Sequence, residues 1–438
     1  MFFDKKKEGA GKTEQAKAVV GYDLGNSYAQ ISYWLPGSTK PETVSQVAGE
    51  EDYLIPAVLG RVSSRDIWLF GRDAQTAGQE GQAVLVTDLL ERACKEEAVL
   101  IGEESFDPVV LLSLFIKRSL SFLTPILPIQ QIAGFVFSVE TVSRPVVDAL
   151  MRAAALLELP VQNCYVTGRA ECFYYYNINQ PPQLWTQDVL LCELDENGLR
   201  TYCFGINKKT RPAAVIIDEQ HFEEIQKIQS GLEPLEEKRS GMLLDQKFCE
   251  AVAPVLAARS VSTIYLIGTG FDGAWYQKAL ALMCSKRRVF LGNNLYSKGA
   301  CYAAKERLVP GSAADGYVFL GQDMIKANVG IFVVRRGSDA YLALLNAGTN
   351  WYDAKKKCDF LLEDEDSFSL RITPVDGRKI KEVSVTLTGL PKRPARTTRI
   401  RLEIEMTSVE TVKLSMEDLG FGEFYPATHR LWEEEFVL

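Results

Sequence analysis

Histidine is almost absent from this chain. Only His221 and His429 occur in 438 residues, so histidine triads and histidine-rich metal sites have little material. Cysteine offers no substitute: the nine cysteines, spread from Cys94 to Cys358, form no CxxC pair and are odd in number. That pattern predicts buried reduced thiols rather than disulfides or zinc. An excess of basic charge is lacking too, since a net charge of -8 argues against a broad nucleic-acid footprint. No apolar run reaches the roughly 18 residues that a membrane-spanning helix needs. The opening MFFDKKKEGAGKTEQAK carries charge but no apolar signal-peptide core, so a cytoplasmic location is expected. Gly11-Lys12-Thr13 imitates the end of a Walker A loop, but the glycine that such a loop needs falls on Lys6.

What is present is a globular composition, 47% apolar and 24% charged, in a chain long enough for two or three domains. Up to about Leu308, strand-like and helix-like segments alternate, the pattern of a layered α/β domain. Strands are expected at Ala18–Tyr22 and Ala29–Trp34, as a hairpin around Gly25-Asn26-Ser27, and at Ile132–Val139 and Val189–Leu194. Phe106–Leu123 and Val142–Leu159 read as helices, the second with Pro145 early, where its missing N–H costs little. After Pro310-Gly311-Ser312 the runs become β-branched or alternating: Val329–Val334, Ala340–Leu345, Phe368–Pro374, Ile380–Leu387, Thr397–Met406 and Thr411–Met416. RIRLEIEM, Arg399 to Met406, alternates almost perfectly, as a strand with one buried face does. The expected division is a polar tail at 1–17, an α/β domain at 18–308, a linker at 309–318 and an all-β domain at 319–438. Leu362–Asp366, Lys355–Lys357 and Lys392-Arg393 read as solvated charge.

GYDLGNSY, from Gly21 to Tyr28, is similar to the first phosphate loop of the DnaK-type heat-shock chaperones. Further segments follow in the same order. Ile55–Leu59, Leu69–Ala74, Phe106–Leu123 and Gly134–Pro160 resemble successive elements of that family's ATPase domain. Tyr265–Gly270 stands where its adenosine loop would be, and Lys298–Ala304 resembles its closing helix. Leu387–Glu405, with its Gly-Leu-Pro turn, is similar to the later strands of the peptide-binding domain. The resemblance implies an actin-like (ribonuclease H-like) two-lobed α/β domain, then a β-sandwich without a helical lid. As cofactor it implies ATP or ADP with Mg²⁺, with Asp23 near the metal. Gly25, Asn26, Ser27 and Tyr28 would lie at the phosphates, and Gly268, Thr269 and Gly270 at the adenosine. The plainer readings stand beside these: Gly-Asn-Ser is good hairpin-turn chemistry, and Gly268–Gly270 a tight strand-to-helix turn.

Several positions depart from the family. Its second phosphate hairpin has a glycine run, where this chain has Glu193-Leu194-Asp195-Glu196-Asn197-Gly198. A like charge about 4 Å from a phosphate costs roughly 1 kcal/mol in water and about 4 at an effective dielectric of 20. The family's catalytic lysine falls on Gln75, which cannot stabilise phosphoryl-transfer charge. Its catalytic glutamate falls near Gly168; Glu171 is close by, and Arg169 is expected to pair with it. Gly241–Asp245 resembles a strand and Gln246–Ala258 a helix, leaving no room for the subdomain that clasps adenine. Asn293 replaces an acid. In the β domain, Val333–Gly337 and Glu363–Ser367 are either charged replacements for a peptide-clamping pair of loops or ordinary hairpin loops. The expectation is a non-catalytic or very weakly active scaffold or regulatory protein working through protein partners. A divergent ATP-binding chaperone and an actin-like self-assembling protein are the alternatives.

Overall fold

The computed structural model describes residues 18–47, 49–62, 67–208, 212–229, 231–292, 294–308, 313–363, 366–375 and 378–438. The tail 1–17, Asn293, residues 309–312 of the linker and 364–365 of the acidic loop lie outside them. The chain forms two compact units. One takes the residues up to 202 and 219–315; the other takes 203–218 and 316–438.

The first unit opens with the expected hairpin, β1 (Ala18–Leu24) and β2 (Tyr28–Trp34), antiparallel around Gly25–Ser27. Strands β3 (Glu42–Thr43) and β4 (Ile55–Pro56) both pair with β2. A small sheet of β5 (Leu59–Val62), β6 (Trp68–Phe70) and β7 (Ala83–Val86) carries helix α1 (Gly71–Gln79). Helix α2 (Leu89–Lys95), the hairpin β8 (Val99–Ile101) and β9 (Glu104–Phe106), and helix α3 (Pro108–Leu120) follow. The start of α3 is set by Asp107, whose carboxylate accepts from the backbone N–H groups of Val109 and Val110 at 2.7 and 3.2 Å. Then come β10 (Ile132–Val139), α4 (Arg144–Leu156), β11 (Cys164–Gly168) and α5 (Arg169–Ile178). β10 runs parallel to β1, and β11 parallel to β10, so the sheet order is β11-β10-β1-β2-β3. Every residue of β1 is buried, which is why it reads apolar but for Asp23.

A second sheet repeats this order. Strand β12 (Asp188–Asp195) turns through Glu196-Asn197 into β13 (Gly198–Asn207), and β14 (Ala213–Phe222) lies beyond it. Helix α6 (Pro234–Ala258) leads to β15 (Val261–Ile267), then α7 (Gln277–Met283), β16 (Arg288–Leu291) and α8 (Leu295–Leu308). β15 is parallel to β12 and β16 to β15, giving β16-β15-β12-β13-β14. In both sheets a hairpin strand is central, its partners lie to one side, and two parallel strands close the other.

One expectation fails here. Gly241–Asp245 is helical, within the 25-residue α6, and not a strand. Pro234 suits the first turn of that helix. Gly241 sits where Trp275 packs, so that an added Cβ would lie 3.1 Å from the Trp275 Cβ. Asp245 is buried and accepts from the Lys278 and Ala279 backbone N–H groups at 2.8 and 2.9 Å, capping α7 from the side.

Helix α8 lies against β1 and α5 at contact distances that only glycine allows. A Cβ on Gly21 would sit 2.2 Å from the Cys301 nitrogen, and one on Gly299 would sit 2.1 Å from the Cys172 oxygen. All nine cysteines are free thiols, five of them buried. We expect Gly299→Ala to force α5 and α8 apart and cost at least about 1–3 kcal/mol, read by denaturant titration.

In the second unit, β14 pairs in parallel with β17 (Tyr317–Phe319). Next come β18 (Ala327–Arg335), β19 (Ser338–Leu345), β20 (Lys355–Leu361), β21 (Ser367–Pro374) and β22 (Lys381–Thr386). Strands β23 (Arg399–Met406), β24 (Thr411–Gly420) and β25 (Leu431–Val437) complete it. They form two antiparallel sheets, β19-β18-β21-β22 and β20-β23-β24-β25. Among the described residues from 313 onward there is no helix. Strands β20 and β25 were not expected from the sequence, because KKKCDFL and LWEEEFV carry the charge that protects a sheet edge. Val333–Gly337 proves to be a strand end and a two-residue turn, with Arg336 and Gly337 both at positive φ.

The polar centre of this unit is Asp418, fully buried at the end of β24. Arg393 binds it with both Nη atoms at 2.7 and 2.8 Å, and Thr428 Oγ1 donates at 2.7 Å. The backbone N–H groups of Gly420 and Thr428 add bonds at 2.9 and 3.1 Å. Burial alone would raise the Asp418 pKa, but Arg393, Thr428 and the backbone donors hold it well below the usual carboxylate range. A depressed pKa contributes stability above the unfolded value of about 3.9, lost as pH falls through the folded value. Asp418→Asn should therefore cost about 3–5 kcal/mol near neutrality. It should also flatten the acid limb of the stability curve, measured by denaturant titration across pH.

Candidate functional site

The two hairpins meet in the first unit. The turn Gly25–Tyr28, the turn Asp195–Asn197 and the segment Ile267–Thr269 line one cavity, together with Asp23, Glu140, Arg169, Glu193 and Tyr296. The chain thus brings together Asp23, Gly25, Asn26, Ser27, Tyr28, Glu193, Asp195, Glu196, Gly268 and Thr269. Gly270 lies just behind, with its Cβ position 2.4 Å from the Leu194 Cγ. Gln75 is exposed on α1 and does not line the cavity; Gly168 ends β11 and precedes the Arg169 that does.

Arg169 is the central group. Its Nη1 binds the Glu193 Oε1 at 2.8 Å, its guanidinium lies 4.9 Å from the Tyr296 ring centre, and Glu140 is 4.0 Å away. It also lies along the first turn, where a Cβ on Gly25 would be 3.5 Å from its Nη2. Its Nε is buried without a hydrogen-bond partner among the described residues. The expected pairing with Glu171 is wrong: Glu171 is buried in α5 and bonds Arg307 at 3.1 Å. Successive helical residues point in different directions, and only Arg169, at the first position of α5, reaches the cavity.

The carboxylates around it are held. Asp23 is buried and accepts from Ser138 Oγ at 2.8 Å; Glu193 accepts from the Tyr296 hydroxyl at 2.9 Å. Burial pushes both pKa values up, opposed in each case chiefly by the Arg169 charge. Arg200, on β13, pairs with Glu140. Nearer the surface, Glu196 receives the Ser27 hydroxyl at 2.7 Å and the Lys227 ammonium at 3.0 Å, and Lys227 also donates to Thr269 Oγ1 at 3.3 Å. Side chains of the chain itself therefore tie the two turns and the Thr269 loop to one another.

Gly268 and Gly270 serve this assembly sterically. A Cβ on Gly268 would lie 2.4 Å from the Leu194 backbone oxygen, so the segment after β15 approaches the end of β12 backbone to backbone with no space for a larger residue. Gly268 also has a φ of 96°.

The space left is about 100 Å³, where small-molecule sites occupy about 300–1,000 Å³. Five carboxylates and one guanidinium line it, and among the described residues no lysine, histidine or cysteine does. No group of three or more His, Cys, Asp or Glu placed to hold a metal ion is found among the described residues. Beside it opens a larger cleft of about 820 Å³, sharing Tyr28 and Thr269 and lined by Gly270, Trp275, Lys238 and Lys278.

Residues 40–322 match a family described as a family of unknown function (DUF5716), C-terminal part. The chain belongs to that DUF5716 family. Residues 324–438 match a separate domain of unknown function, DUF8552. The DUF5716 match covers both sheets of the first unit from β3 onward, and so includes Arg169, Glu193 and the second turn. No curated protein matches the chain.

Sequence reasoning located both turns but missed Glu140, Gln30, Tyr296 and Lys227. These lie in different elements, and no local pattern marks them. Arg169→Ala should leave Glu193 and Asp23 buried without their cation and cost about 3–5 kcal/mol. The double change to leucines at 169 and 193 should recover most of that loss, both read by urea titration.

Proposed function

We propose that this DUF5716 protein is a non-catalytic or very weakly active relative of the actin-like, DnaK-type proteins, acting as a scaffold or regulatory partner through protein–protein contacts. The repeated strand order supports the actin-like reading, as does the meeting of two hairpin turns and a Gly-Thr-Gly segment at one cavity. Two antiparallel sheets support a β-sandwich in the second unit.

The observation that carries the loss of catalysis is Arg169. A cation fixed between the turns by Glu193 stands where a Mg²⁺-triphosphate would have to lie, and the remaining 100 Å³ is too small for one. Asp23, the carboxylate nearest to a metal role, is buried and bonded to Ser138. A triphosphate would also face Glu193, Asp195 and Glu196. The residues present do not fit the nucleotide.

One observation favours the second reading, a divergent nucleotide-binding chaperone. The 820 Å³ cleft adjoins the turns and is of small-molecule size, with Lys227, Lys238 and Lys278 in its wall beside Glu237, Asp245 and Asp272. The thermal midpoint with and without millimolar Mg-ATP, and with ADP, separates the two. A nucleotide at 100 times its dissociation constant would add about 2.7 kcal/mol, a rise of several degrees. We expect no shift and no phosphate release; a clear rise with either nucleotide would overturn the scaffold reading.

A further inference from the structure

Ile267, near the hairpin cavity, also lines a separate cavity of about 280 Å³, and no other residue is shared between the two. Its wall is aromatic, built from Tyr176 of α5, Tyr265 of β15 and Phe290 of β16. Tyr176 meets Tyr265 edge to face, and Phe290 stacks on Tyr265, both with ring centres 5.6 Å apart. Leu295 and Lys298 from the start of α8 also line it, as do the polar Gln180 and Asn294.

Two polar groups here have no work in the fold. The Tyr265 hydroxyl is buried and has no hydrogen-bond partner among the described residues, a rare state for a buried donor. The half-buried Lys298 makes no ion pair among the described residues, and burial, with the charge of Lys40 and against that of Glu51, holds its ammonium below the usual lysine range. An apolar cavity with a few convergent polar groups is the general form of a small-molecule site. Three rings alone would suit a cation, but Lys298 in the same wall repels one.

We propose that this cavity binds a small carboxylate carrying an aromatic or branched aliphatic body. The carboxylate pairs with Lys298 and accepts from the Tyr265 hydroxyl, while the body lies against Tyr176, Phe290 and Leu295.

The test is a calorimetric titration of the full chain, at neutral pH, with phenylpropionate, phenylpropanol and phenylpropylamine. Phenylpropionate is expected to bind at least about tenfold more tightly than the alcohol, and the amine most weakly. Lys298→Met should erase that preference and leave the alcohol unchanged. Tyr265→Phe should weaken the carboxylate while leaving the thermal midpoint equal or higher, because it removes an unsatisfied hydroxyl. Absence of phenylpropionate binding, equal binding of the three compounds, or an unchanged preference in Lys298→Met would overturn the proposal. A lower midpoint for Tyr265→Phe would assign that hydroxyl to the fold and overturn its role here.

Discussion

The buried pair of Arg169 and Glu193 constrains everything around it. Removing two charges from water costs several kcal/mol each, and only close geometry with further hydrogen bonds offsets that. Here the offset comes from Tyr296, which both donates to Glu193 and offers its ring to the guanidinium, and from Asp23 behind. Each partner enters from a different element: β1, α5, β12 and α8. The pair therefore holds the ends of two sheets at a fixed spacing. The outer bridge of Ser27, Glu196 and Lys227 is more exposed and correspondingly weaker.

Helix α8 supplies the second constraint, by shape rather than charge. Gly21 lets it lie directly on the central strand of the first sheet, and Gly299 lets α5 lie directly on it. Because backbone meets backbone there, these elements cannot shift to accept a larger group nearby without losing contact along the helix. A cavity bounded by such elements keeps its size.

The elements with strong periodicity were legible in advance. β10 was bounded to the residue, Ile132–Val139, because both its faces are buried and its flanks are polar. The alternation of β23 showed its buried face directly. Gly241–Asp245 misled because the resemblance put a strand there, and the Trp275 that packs on Gly241 of the helix lies far along the chain. The turns of the site were legible because turn chemistry is local. The role of Arg169 was not: its partner Glu193 is 24 residues away on another element, whereas Glu171 stood two positions off and offered an easier pairing. The doubled strand order left no trace as a sequence repeat, since topology is kept by burial pattern and not by residue identity.

The path of the chain between its units has one more meaning. It leaves the first unit after Tyr202, returns at Glu219 and leaves again after Asp315. A fragment beginning at Gly316 would carry both antiparallel sheets yet lose β14, the strand on which β17 is laid. The freed edge of β17 would present unpaired backbone groups, open to any strand in solution. The smaller unit is thus completed only by a loan from the middle of the sequence.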